Sequence, residues 1–110
     1  MVEDYAPDEA PPPCPRCGAP LRPDVVWFGE TLPTEAFQVA SEAARACDLF
    51  LSVGTSSLVY PAAALPFEGL ENGAVLVEVN PDETPLSAHA DQILRGPAGE
   101  MLPRLVEAIL

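Results

Sequence analysis

The stretch DLFLSVGTSS, residues 48–57, decides the fold. Leu49, Phe50, Leu51 and Val53 form a near-continuous apolar run, the pattern of a parallel-sheet strand covered on both faces. The run stops at Gly54 and a hydroxyl cluster, Thr55, Ser56 and Ser57. Pro61 is well placed as the first residue of a helix, continued by Ala62, Ala63, Leu65, Phe67 and Leu70. Pro66 is expected to kink or break that helix, because an interior proline costs about 3 kcal/mol. Asn72-Gly73 ends it, and AVLVEVN, residues 74–80, reads as a second buried strand closed by Asn80-Pro81.

Working outward, Ala36, Phe37, Ala40, Ala43, Ala44 and Cys47 recur at helical spacing between Pro33 and Cys47. Glu35 in the first turn and Arg45 in the last suit the helix dipole. Further upstream, Val25, Val26, Trp27 and Phe28 are β-formers and predict an extended stretch closed by Gly29. Downstream, DQILRG predicts a short third strand. Leu102, Leu105, Val106, Ile109 and Leu110 predict an amphipathic helix. The order, extended–helix–strand–helix–strand–loop–strand–helix, is that of an α/β fold: part of a doubly wound, Rossmann-like parallel sheet with covering helices. Three such strands leave an edge and a face exposed, which implies a truncated chain or a need for a partner. Three regions are expected: an acidic, proline-rich, flexible lead-in over 1–13, a partial zinc-binding module over 14–24, and the Rossmann-like part over 25–110. Although it begins with Met1, the lead-in reads like the middle of a longer loop.

Seventeen acids against five bases give a net charge of −12, so nucleic acid and anionic membrane are poor partners and a cationic peptide a better one. No apolar run is long enough to span a bilayer, and no signal-peptide pattern is visible. Three cysteines, two of them in a CxxC, suit a reducing compartment, and a cytoplasmic protein is expected. Oligomeric state has no signal in the sequence.

Ligands of open α/β sheets bind beyond the carboxyl ends of the strands, which is where Gly54, Thr55 and Ser56 fall. Glycine lets a ligand approach the backbone, and hydroxyls and free N–H groups can hold ribose or phosphate oxygens. A plain strand-to-helix turn needs the same residues, and GxGxxG is absent. Asn80 sits at the next strand end, where it serves either a ribose or adenine edge or an ordinary Asn-Pro turn. Cys14 and Cys17 fit one edge of a tetrahedral zinc site. A redox pair is the competitor, but it would want a CxxC that opens a helix, not one in a proline-rich loop. VVWFGE, residues 25–30, suits either strand addition by an extended peptide or a buried linker strand. Glu30 reads as solvated or locally hydrogen-bonded, His89 as a surface-loop histidine, Cys47 as core, and Trp27 and Tyr60 as packing residues.

Taken in order, CPRCG, LRPDVVWFGE, CDLFLSVGTSSLVYPAA, EVNP and GPAGEMLPRLV resemble the sirtuin family of NAD-dependent protein deacylases over nearly all of Cys14–Leu110. VVWFGE with GTSSLVYPAA looks most like the branch of bacterial deacylases and the mitochondrial desuccinylase. The resemblance implies that Gly54, Thr55 and Ser56 line the ribose and phosphate side of NAD. Asn80, Pro81 and Asp82 would meet the adenosine end, and Ala98 the adenine. Val25 and Val26 would flank an acyl-lysine tunnel, and Phe28, Gly29 and Glu30 would pair with the substrate backbone. Cys14 and Cys17 would be the second of two zinc pairs. The implied reaction has the acyl-lysine oxygen attack the nicotinamide ribose; nicotinamide leaves and the acyl group passes to ADP-ribose. The family's Gly-Ala-Gly-x-Ser loop, its catalytic histidine with the Gln-Asn motif, the Tyr and Arg that select acidic acyl groups, and the first CxxC have no counterpart here. This chain alone is therefore expected to be inactive.

Overall fold

The computed structural model describes residues 10–110, so residues 1–9 of the expected lead-in lie outside the described residues. Two compact units divide between Leu32 and Pro33.

The larger unit contains α1 (Thr34–Ala46), β1 (Leu49–Val53), α2 (Leu65–Glu71), β2 (Val75–Val79), β3 (Gln92–Leu94) and α3 (Ala98–Ile109), with short 3-10 turns at Ala62–Ala64 and Ser87–His89. The strands are parallel in the order β1-β2-β3, pairing Leu49 with Val75 through Val53 with Val79, and Val77 with Gln92 through Val79 with Leu94. The expected α/β architecture is the one observed.

Strand alternation sends Phe50, Ser52, Leu76 and Glu78 to one face and Leu49, Leu51, Val53, Val75, Val77 and Val79 to the other. The first face is covered. Gly69 of α2 sits so close that a Cβ there would lie 3.2 Å from the Phe50 ring and 3.4 Å from the Ala44 carbonyl oxygen of α1. Glu68 ties the two helices together by accepting from Ser41 Oγ at 2.5 Å and pairing with Arg45 at 3.6 Å. Inside lie Ala44, Ala63, Ala74, Leu76 and Leu86; each large apolar side chain so buried stabilises by about 1.5–3 kcal/mol.

The second face is partly exposed, as a count of three strands implies, and is not covered as the apolar run at 49–53 suggests. Leu49, Leu51, Val53 and Val75 are 37–55% exposed, so β1 is covered on one face only. Val79, by contrast, is fully buried. Leu94 lines a hollow with Met101, Arg104, Leu105 and Ala108 of α3. The remainder of α3 is largely solvated, and it carries Pro103 in its interior.

Pro66 does not break its helix. It falls in the first turn of α2, just after the 3-10 turn, where no intrahelical partner awaits its missing N–H. Asn72-Gly73 ends α2 as expected. Gly73 adopts φ +89° and donates to the Leu70 carbonyl, while the Ala74 N–H reaches the Gly69 carbonyl, which together form a Schellman cap.

In the smaller unit, Pro13 and Pro20 form an antiparallel bridge, and the Leu21 N–H donates to the Pro12 carbonyl at 2.8 Å. Pro12 and Pro13 are thus tied into the CxxC turn. VVWFGE is neither a strand nor buried: Val25, Val26 and Trp27 are about half exposed and Phe28 is 92% exposed. No strand lies among the described residues of this unit to satisfy a ladder, so local contacts decide the conformation.

Candidate functional site

Three loops leave the carboxyl ends of the three parallel strands: Gly54–Ser57 after β1, Asn80–Asp82 after β2 and Arg95–Pro97 after β3, which leads into Ala98 of α3. Parallel pairing puts these ends side by side. Gly54 continues the ladder, donating to the Val79 carbonyl at 2.9 Å, then turns at φ +66° with open space where a Cβ would stand. Thr55 and Ser56 are exposed and form hydroxyl-capped turns: Thr55 Oγ1 accepts from the Ser57 N–H at 3.1 Å, and Ser56 Oγ from the Leu58 N–H at 3.4 Å. Ser57 is buried in the left-handed region at φ 58°.

Asn80 is buried and joins all three loops. Its Nδ2 donates to the Thr55 carbonyl at 2.8 Å, and its Oδ1 accepts from the Asp82 N–H at 2.9 Å. Its own carbonyl accepts from the Gly96 N–H at 3.2 Å. Pro81 and Asp82 are exposed beside it, and Ala98 is half-buried as the first residue of α3. The arrangement is a rim of exposed hydroxyls and backbone groups around a fixed amide, suited to hold a polar ligand by hydrogen bonds.

In the smaller unit, Cys14 and Cys17 lie on one tight turn, closed by the Gly18 N–H on the Cys14 carbonyl at 2.9 Å, with Gly18 at φ +74°. The backbone N–H groups of Arg16 and Cys17, with the Cys17 side chain, hold the Cys14 thiol below its ordinary range. That environment suits a thiolate ligand. Two thiolates are half of a structural zinc set, and no cluster of three or more candidate ligands occurs among the described residues. VVWFGE ends in a turn: the Glu30 N–H donates to the Trp27 carbonyl at 3.0 Å, and Gly29 supplies φ +87°, as a type II turn requires. Arg22 forks onto Glu30 at 2.9 and 3.2 Å, lies 5.2 Å from the Trp27 ring centre and also reaches the Val25 carbonyl. All five basic residues of the sequence are arginines; it contains no lysine. Glu30 is locally hydrogen-bonded, as expected.

The profile of the Sir2 family matches residues 1–61. The chain belongs to the Sir2 family. It is 54% identical over 99 residues to an NAD-dependent protein deacylase of Methylococcus capsulatus, which covers 90% of this chain and 39% of the relative. It is 51% identical over 108 residues to NAD-dependent protein deacylase 2 of Pyrobaculum aerophilum, which covers 98% and 43%. Among solved structures, it matches a Sir2 homologue–NAD complex with a TM-score of 0.78 and 44% identity, over 93% of this chain and 40% of that one. It also matches a Sir2 protein bound to a propionylated peptide, with a TM-score of 0.75 and 36% identity, over 88% and 41%. The chain thus spans about two-fifths of the length of these curated Sir2 relatives.

Gly54, Thr55, Asn80 and Asp82 stand in one network, and Val25 to Glu30 share the other unit with Cys14 and Cys17. Two expectations are corrected. Trp27 and Tyr60 are 54% and 68% exposed, so they are not packing residues. Cys47 is half-buried at the end of α1, its thiol turned back onto the Ala44 carbonyl, and is not a core residue. His89 is exposed, with its ring edge-on to Phe67 at 5.1 Å. The residues that sequence reasoning missed are Glu78, Thr84, Ser87 and Arg95. The one available signal was Glu78 itself, an acid at a position inside a buried strand.

Proposed function

We propose that this chain supplies the adenosine-side NAD loops and the peptide-pairing turn of an NAD-dependent protein-lysine deacylase, and that it does not catalyse by itself. The observation that carries the reading is the bond between Asn80 and Thr55, which joins loops from adjacent strand ends into one rim. The names of the curated relatives and the ligands of the related structures support it. Gly54, Thr55 and Ser56 hold the ribose and phosphate side, Asn80, Pro81 and Asp82 the adenosine end, and Ala98 the adenine. Val25 and Val26 flank the acyl-lysine, and Phe28, Gly29 and Glu30 pair with the backbone of the peptide. Bound NAD supplies the electrophilic ribose carbon, with nicotinamide as the leaving group. This chain's residues orient it; the catalytic histidine that the resemblance implies is not among them, since the only histidine, His89, lies against Phe67. Cys14 and Cys17 give two of four zinc ligands, and the free thiols fit a cytoplasmic setting.

The test is a titration of the 110-residue polypeptide with ADP-ribose, followed by amide NMR. Shifts should concentrate at Gly54, Thr55, Asn80 and Asp82 and spare α1. Shifts spread evenly, or none at millimolar ligand, would sink the reading. With NAD and a succinyl-lysine or acetyl-lysine peptide, no nicotinamide should appear; its release would overturn the inactivity.

A further inference from the structure

The loop between β2 and β3, residues 80–91, has no α-helix and only one 3-10 turn. It is anchored instead by one carboxylate. Glu78 is 1% exposed, on the covered face of β2. Both of its oxygens are engaged: Thr84 Oγ1 donates to Oε2 and Ser87 Oγ to Oε1, while Arg95 Nη1 stands 3.8 Å from Oε1. Each hydroxyl also accepts from the loop backbone, Thr84 Oγ1 from the Leu86 N–H at 3.1 Å and Ser87 Oγ from the Thr84 N–H at 2.9 Å. Arg95 in turn donates to the carbonyls of Asn80, at 3.2 Å, and Asp82. One buried carboxylate therefore sets the far part of the loop through two hydroxyls and the near part through an arginine. A buried carboxylate held this way is costly to leave half-paired, so losing one partner should loosen the loop that the others hold.

We infer that Glu78 is a positioning residue: through Thr84, Ser87 and Arg95 it holds Asn80 and Asp82 in the shape that receives the adenosine end of the nucleotide. The inference rests on the nucleotide reading above. Glu78 touches no ligand; it acts through the loop. A glutamine in its place keeps one acceptor for two hydroxyls and removes the counter-charge of Arg95, so the loop should loosen while the sheet persists.

The experiment compares the wild-type 110-residue chain with Glu78→Gln and Thr84→Val by amide hydrogen exchange and by ADP-ribose titration. Both variants should lose about tenfold or more in protection at the Asp82, Thr84 and Leu86 amides, keep protection at Val79 and at Val75, whose N–H is held by the Asp48 carbonyl outside the loop, and bind ADP-ribose about tenfold more weakly. Thr84→Val serves where Glu78→Gln fails to fold. Unchanged loop protection overturns the inference. So does a uniform loss at β2 in both variants, which would make Glu78 an ordinary core group. A loop that loosens in the variants although the wild type never binds ADP-ribose sinks the nucleotide reading, and with it the positioning role, while leaving the clamp as a structural brace.

Discussion

At Glu30 two groups lower the proton affinity of one carboxyl: first the Arg22 guanidinium, then the Trp27 backbone N–H. The carboxyl is held below its ordinary range in the folded turn, so the unfolded chain binds the proton first as pH falls. The stabilisation is therefore complete above the ordinary carboxylate pKa and is lost as pH drops through the depressed folded value. Trp27, beside Arg22, reports on it. Its fluorescence should shift in a transition centred below the ordinary carboxylate pKa, and Glu30→Gln should abolish that transition; a midpoint at or above the ordinary value would contradict the ion pair. Leu76, fully buried in the centre of the sheet, makes a second prediction at this scale. Leu76→Ala should cost about 2–5 kcal/mol, a large share of the total stability of a small domain, measurable by urea unfolding.

Among the elements, the Schellman cap of α2 depends on the left-handed backbone of Gly73. Gly73→Ala should destabilise by about 1–2 kcal/mol although a Cβ there meets nothing, and thermal unfolding separates this from a packing defect. At this scale the sequence was readable wherever periodicity and punctuation agreed. The helix expected from Pro33 to Cys47 is α1, the run at 49–53 is β1, and DQILRG contains β3. VVWFGE was misread because β-propensity is realised only beside a partner strand, and Arg22 closes a turn there instead. Pro66 was misread because the cost of a proline depends on its place in the helix, and the 3-10 turn before α2 moves that place. The strand-end loops were legible from Gly54, Thr55, Ser56 and Asn80. The Glu78 clamp was not, since Thr84, Ser87 and Arg95 meet it only once the loop has folded over β2.

For the molecule as a whole, the reading of 48–53 as a strand covered twice assumed more neighbours than the sheet has. Leu49, Leu51, Val53 and Val75 remain in solvent on an acidic chain of net charge −12. Apolar surface of this kind draws association, and like charge opposes it. The chain should therefore bind a hydrophobic dye at neutral pH, and it should associate as salt is raised. Leu51→Glu should reduce both in dye fluorescence and sedimentation, with little change in unfolding midpoint. Equal dye binding by the variant would place the patch elsewhere.

The absence of lysine has a practical reach. A polypeptide whose every side-chain cation is a guanidinium presents no ε-amine to an acyl donor. In a mixed reaction with acyl-lysine peptide, every acyl-lysine counted, lost or retained belongs to the peptide. Self-acylation of side-chain amines drops out of the accounting, and mass spectrometry of the chain itself should show no acyl-lysine before or after incubation.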